Sequence, residues 1–115
     1  MSRIGGNITA EIQVKQGSTR NAIGEREHTW VTVHRVTGFL DLATGDSRYS
    51  TYDAKIQEST HYFICDYFKL SSKVKAENSR LLISGKTYDV TVIDDPMELH
   101  KHLEIYLKYT GGQNG

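Results

Sequence analysis

The sequence predicts a mainly β domain: a small antiparallel barrel or sandwich of five to six strands with one short helix or ordered loop. Three observations carry this. Residues 8–15 alternate apolar and polar without a break. Residues 28–37 (HTWVTVHRVT) are dense in β-branched and aromatic side chains. The C-terminal half then offers strand-like runs in quick succession: residues 59–68 (STHYFICDYF), residues 80–94 (RLLISGKTYDVTVID) and residues 103–109 (LEIYLKY). Period-2 alternation over such runs marks a sheet with one face in a core. At 115 residues the chain makes one domain with a modest core, expected to be ordered over residues 7–110 and frayed over residues 111–115.

The elements follow in order. In residues 8–15, Ile8, Ala10, Ile12 and Val14 share one face, and Thr9, Glu11, Gln13 and Lys15 the other. Residues 16–27, with Gly17, Ser18, Asn21 and Gly24, read as a polar loop. Residues 28–37 should be the longest strand. Its apolar residues fall in both alternation sets, Val31 with Val33 and Trp30 with Val36, which suggests a central strand or one that meets another chain. Residues 43–46 form a turn. Residues 47–57 place Tyr49, Tyr52 and Ile56 at helical spacing, and Ser50 with Asp53 has the form of a capping box, so a short helix or ordered loop is expected. Residues 71–78 cross the surface. The run 80–94 folds back at Ser84-Gly85-Lys86, with Tyr88, Val90 and Val92 pointing inward. Pro96 has no N–H and cannot occupy a central strand, so residues 95–101 connect. Leu103, Ile105, Leu107 and Tyr109 line one face of the last strand. Closing such strands into a barrel removes exposed edges.

Charge narrows the function. Lys plus Arg number 14, Asp plus Glu 14, and the formal net charge is +0. A duplex-binding protein carries a basic excess that neutralises phosphates. Here DNA is met only through a local patch, or where tight binding would be a fault. Cys65 is the single cysteine, which excludes an intramolecular disulfide. It reads as a small buried hydrophobe. His61, four residues earlier on the same strand face, lies about 13 Å away at the usual rise, too far to activate it. No run is apolar enough for a signal peptide or a bilayer span, so synthesis in a reducing cytoplasm and no membrane partner are expected.

Motifs of catalytic form dissolve on inspection. His100 and His102, near Asp94 and Asp95, have the look of metal ligands, but a third or fourth placed ligand is lacking and a solvated rim is the better reading. Asp94-Asp95-Pro96 ends a strand rather than pairing carboxylates for acid–base work. Ser84-Gly85-Lys86-Thr87 echoes a phosphate-binding loop. Leu81 stands where that motif needs glycine, and a strand follows instead of a helix. The tyrosines suit base stacking on a barrel face, but without a basic excess they suit a core or a protein interface better. No cofactor and no enzyme are expected. An oligonucleotide-binding barrel is the alternative reading.

The order of segments resembles a known family. Ile12-Gln13-Val14 precedes a Trp-Val strand (Trp30, Val31, Val33), a segment with Tyr49, Tyr52 and Ala54, and THYFICDY at residues 60–67. RLLISGKTYDVTVIDDP follows at residues 80–96, then LEIYLKYTGG at residues 103–112. This is similar to the head–tail joining proteins of tailed bacteriophages, also called head-closure or stopper proteins. The strongest part is Arg80, Gly85, Lys86, Tyr88, Val90, Ile93, Asp94 and Asp95. Where the family often carries Arg-Tyr at the end of the middle strand, this chain has Asp66-Tyr67.

The resemblance implies a virion component of the head–tail connector, made in the host bacterial cytoplasm. Small barrels would form a cyclic ring with copies of themselves, under the portal or adaptor ring. The ring would block packaged double-stranded DNA without specific binding and dock tail terminator or tail proteins. Residues 43–57 are the expected channel plug, with Asp46, Arg48, Tyr49, Tyr52, Lys55 and Glu58 at its surface. Gln16, Arg20, Asn21, Glu25 and Arg26 are expected to contact a neighbouring subunit or the adaptor. A tail-completion protein of similar fold is a second possibility.

Overall fold

The computed structural model describes residues 4–20, 22–24, 26–42 and 59–111. Six strands run through them: β1 (Ile8–Arg20), β2 (Arg26–Leu42), β3 (His61–Asp66), β4 (Ser79–Ile83), β5 (Lys86–Asp94) and β6 (His102–Gly111). Every neighbouring pair is antiparallel, and the sheet closes on itself in the order β1-β2-β3-β6-β5-β4. Of the two expected architectures, the closed barrel is the one formed. Among the described residues the only helical turns are short 3-10 turns at Ala76–Asn78 and Pro96–Glu98. The short helix expected over residues 47–57 lies outside the described residues.

The core is the one the alternation predicts. Ala10, Ile12, Val14, Phe63, Cys65, Leu81, Ile83, Tyr88, Val90, Leu103, Ile105 and Leu107 are all buried. Burying a side chain of the size of Phe63 or Leu107 contributes about 1.5–3 kcal/mol before chain entropy is set against it.

Bulges explain where the simple alternation fails. Ile12 pairs with His34 but Gln13 pairs with Thr32, so Val33 is an extra residue in β2. Across a bulge the side chains change face. Val36, opposite Ala10, therefore turns inward, whereas Trp30, opposite Lys15, turns outward. The bulge accounts for apolar residues in both alternation sets. A second bulge corrects the reading of β5. Val90 pairs with Leu107 and Val92 with Tyr106, which leaves Thr91 extra. Val92 then faces outward, against expectation, and Ile93 packs on the core instead. The Thr91 hydroxyl donates to the Tyr106 carbonyl at 3.1 Å and accepts from the buried Ser59 hydroxyl at 2.6 Å.

Residues 16–27 are also corrected. The sequence shows a polar loop, but β1 and β2 continue as a ribbon to the pair Arg20–Arg26. Gln16 faces Thr29 and Thr19 faces Glu27, so Gly17 and Ser18 together oppose one residue. Gly17 has φ 53, the left-handed geometry that this kind of bulge requires and glycine supplies. Polar composition hid the strand because the run offers no apolar alternation.

Candidate functional site

The arm and the expected plug attach to opposite ends of one strand. β4 pairs with β1 only from Glu11 to Val14, and β3 pairs with β2 only from Phe39 to Leu42. Beyond those stretches β1 and β2 pair with each other alone among the described residues. The arm thus leaves the barrel at the start of β2, and residues 43–58 connect at its far end. At the usual strand rise, the stretch of β2 from Val31, where β4 ceases to back β1, to Leu42 spans at most roughly 36 Å.

Of the expected contact residues, the structure places Gln16 exposed on the arm and pairs the backbones of Arg20 and Arg26 near its tip. Asn21 and Glu25 lie outside the described residues. So do all of the expected plug residues: Asp46, Arg48, Tyr49, Tyr52, Lys55 and Glu58. The described barrel resumes on either side of this segment at Leu42 and Ser59. Beside that junction His61, Tyr88 and Tyr109 form a ring cluster, with centroids 5.2 Å from Tyr88 to each of the other two. Burial first, and Tyr109 second, push the Tyr88 hydroxyl above its ordinary range.

The outer wall of β4, β1 and β2 carries a polar ladder that sequence reasoning did not find. Arg35 pairs with Glu11 at 3.5 Å, and Thr32 donates to Glu11 at 2.8 Å. Gln13 Nε2 donates to Thr32 at 3.3 Å, and Arg80 Nε donates to Gln13 Oε1 at 2.8 Å. The Arg80 guanidinium then lies 4.2 Å from the Trp30 ring centroid, with Lys15 Nζ 5.7 Å from the same ring. Burial lowers the Arg80 pKa and Asp89 acts against that shift. Trp30 thus has two cations within reach of its ring. The alternation predicted which residues face out. It could not predict which of them meet, because β4 lies 67 residues from β1 at the Gln13–Arg80 contact.

The opposite wall, on β3, β6 and the adjoining ends of β2 and β5, is acidic and aromatic. Tyr62 and Tyr106 stack at 5.9 Å. Phe39 pairs with Ile64 beside them, and Phe39 is 40% exposed. Around this strip stand Asp41, Asp66, Asp94 and Glu104, with Lys108 on the same face of β6. Tyr106 donates to Glu104 at 3.0 Å, and His102 Nε2 lies 3.0 Å from the other oxygen of Glu104. Burial, then Glu104 and Asp95, push the Asp94 carboxyl above its ordinary range, with His102 opposing.

Between β5 and β6 the loop after Asp95 holds three non-glycine residues at positive φ: Met97, Glu98 and His100. Such backbone costs about 1–3 kcal/mol per residue and persists only where contacts fix it. Asp95 does the fixing. It accepts the His100 amide at 3.0 Å and lies 2.6 Å from His100 Nδ1. The loop presents Met97 and Leu99, 86% and 54% exposed. His100 and His102 are thus bound to different carboxylates, and among the described residues no group of three His, Cys, Asp or Glu is arranged to hold a metal ion. No helix among them is long and apolar enough to cross a membrane.

A small closed barrel with an arm, a long insertion beside one end and two oppositely charged walls has the features of an assembly protein, built to meet other proteins. The family is shown directly. The chain belongs to the phage head completion protein family, whose model matches residues 1–108. That is a family of structural virion proteins that interact with other phage head and tail proteins, as the resemblance implied. The fold is shared with the solution structure of protein SF1141 from Shigella flexneri 2a, with a TM-score of 0.61 and 18% identity, over 98% of this chain and 100% of that one. No curated protein sequence matches the chain.

Proposed function

We propose that this protein is the stopper of the head–tail connector. Copies form a ring under the portal or adaptor ring, close the DNA exit channel after packaging and give the tail its docking surface. The observation that carries the reading is the family match over residues 1–108. Residues 43–57 are the plug, with Asp46, Arg48, Tyr49, Tyr52, Lys55 and Glu58 at its surface. The arm, with Gln16, Arg20, Asn21, Glu25 and Arg26, touches a neighbouring copy or the adaptor. The placement of the two at opposite ends of β2 supports this division, since one rigid strand can aim one end at the channel and the other away from it. A formal charge of +0 suits a part that obstructs DNA without gripping it. The protein works in the virion without catalysis or cofactor, and is made in the host bacterial cytoplasm.

The experiment is deletion of this chain from its phage, with encapsidated DNA and attached tails scored in the particles. Heads that fill, then leak their genome and carry no tail, support the stopper. Heads that retain DNA without tails move the protein to tail completion, and heads that never fill move it to packaging. One feature, Trp30 with Lys15 and Arg80 near its ring, favours an oligonucleotide-binding barrel instead. That reading requires affinity for free single strands that falls steeply with salt.

A further inference from the structure

The chain is neutral overall, yet its barrel wall is not. The outer face of β4, β1 and β2 carries Lys15, Arg35 and Arg80 against Glu11, with Asp89 across from Arg80 on β5. The outer face of β3 and β6, with the adjoining ends of β2 and β5, carries Asp41, Asp66, Asp94 and Glu104 against Lys108. In the closed order β1-β2-β3-β6-β5-β4, β1 stands three places from β6 and β4 three places from β3, so the two faces lie on opposite sides of the barrel. Each also has an aromatic centre, Trp30 on one and the Tyr62–Tyr106 stack on the other. Aromatic centres rimmed by charge are the usual makeup of protein interfaces.

We infer that the Trp30–Arg80 face of one copy packs against the Tyr62–Tyr106 face of the next, head to tail. A two-fold contact between acidic faces would set carboxylates against carboxylates, which costs several kcal/mol in an interface. A head-to-tail contact sets basic against acidic at every junction, and it closes into a ring when the rotation per copy permits. Each copy carries both halves of the contact. The inference deepens the ring proposed above and rests on it.

Mature particles provide the test, with three charge-reversed chains. Lys15→Glu with Arg35→Glu reverses the basic face; Asp41→Lys with Glu104→Lys reverses the acidic face; the third chain carries all four changes. Each single-face reversal should reduce the chain's content in particles at least tenfold, and the four-fold chain should recover to within about threefold of wild type. Far-UV circular dichroism and Tm confirm that each variant is folded. A folded single-face reversal that enters particles normally overturns the contact, as does a folded four-fold chain that stays out. Flexible bis-maleimide cross-linking reads geometry independently of charge. Chains with both Thr32→Cys and Tyr62→Cys should give ladders in particles, and either change alone should give no dimer. Dimers from a single-cysteine chain mean a two-fold contact, and no ladder means other faces; both overturn the inference while leaving the stopper reading intact. A wild-type chain absent from particles sinks that reading and the contact with it.

Discussion

The carboxylate of Asp66 holds the amide of Ile4, 62 residues earlier in the chain, at 2.7 Å. The second oxygen of Asp66 takes the amide of Gly5 at 3.1 Å. The segment before β1 is thereby strapped to the end of β3. An acid serves here because backbone amides only donate. Hydrogen bonds to a charged acceptor are worth about 1.5–3 kcal/mol, less where water competes. Asp66→Ala should therefore cost about 1–2 kcal/mol and free the Ile4 and Gly5 amides to exchange with solvent. Asp66→Asn, which keeps one acceptor oxygen, should fall between. Hydrogen exchange at those two amides, alongside chemical denaturation, checks this.

Gly38 sits where that strap crosses the barrel. A Cβ there would lie 2.3 Å from the Ile64 carbonyl and 2.7 Å from the Phe63 ring. The backbone of Gly6 runs against Gly38 as well, with Asn7 donating to the Gly38 carbonyl at 3.0 Å. Because the obstacle is backbone, no rotamer change relieves it. Gly38→Ala should destabilise by about 3 kcal/mol or more, at the upper end of what overpacking costs. Gly17→Ala meets no atom within 4 Å and should cost only about 1–2 kcal/mol, from its left-handed φ of 53. Thermal melts of the two variants side by side test the contrast.

The bulge at Thr91 makes two adjacent residues unequal. Ile93 packs on the core, and Val92 lies beside Tyr106 on the outer wall. Ile93→Ala should cost about 2–4 kcal/mol and Val92→Ala less than about 1. A larger cost at Val92 than at Ile93 would mean that β5 keeps unbroken alternation. Thr91→Val removes the hydroxyl that both Ser59 and the Tyr106 carbonyl use, so it too should cost about 1–3 kcal/mol.

These positions show what the sequence could reveal. The strands over residues 8–15, His61–Asp66 and His102–Gly111 were legible because their inward residues repeat every second position. The turn at Ser84-Gly85 was legible because two adjacent residues at φ 52 and 78 need a glycine-tolerant hairpin. Bulges at Val33 and Thr91 were not, since neither residue differs in kind from its neighbours and the ladder alone decides where an extra residue is absorbed. The arm was hidden by its polarity. The two charged walls were hidden by the closure of the barrel, which brings Arg80 to Gln13 and Glu104 to Asp94 across chain separations that local pattern does not span.

Cys65 should be inert while the barrel is closed. It is 1% exposed, and burial first, with Asp66 second, pushes its thiol up to about 11. Reactivity follows the thiolate, which is nearly absent at pH 8. A thiol reagent at that pH should label less than about one hundredth as fast in the native protein as in denaturant. Fast native labelling would mean that the β3 segment opens often. The sign of any alkaline effect is fixed too: with the folded value raised above the ordinary 9.0, stability is lost as pH rises from 9.0 through about 11.

Acid acts first through His34. Its Nε2 accepts the Ser71 amide at 2.9 Å, so the folded state needs this nitrogen unprotonated. Its ring meets Phe68 edge-on at 4.8 Å, and burial holds its pKa below the ordinary 6.5. The unfolded chain therefore binds a proton here before the folded chain does. His34 costs nothing above pH 6.5, and it withdraws stability as pH falls from 6.5 through the lower folded value. Asp94 runs the other way, since its value is raised: it favours folding below the ordinary 3.8 and loses that contribution as pH rises through the folded value. Comparing wild type with His34→Gln cancels Asp94, which is common to both. Between about pH 7.5 and 5.5, wild type should lose Tm faster than the variant, and the connection from β3 to β4 that Ser71 anchors should lose hydrogen-exchange protection first. Parallel Tm-versus-pH curves for the two proteins would rule out His34 as the acid-sensitive group.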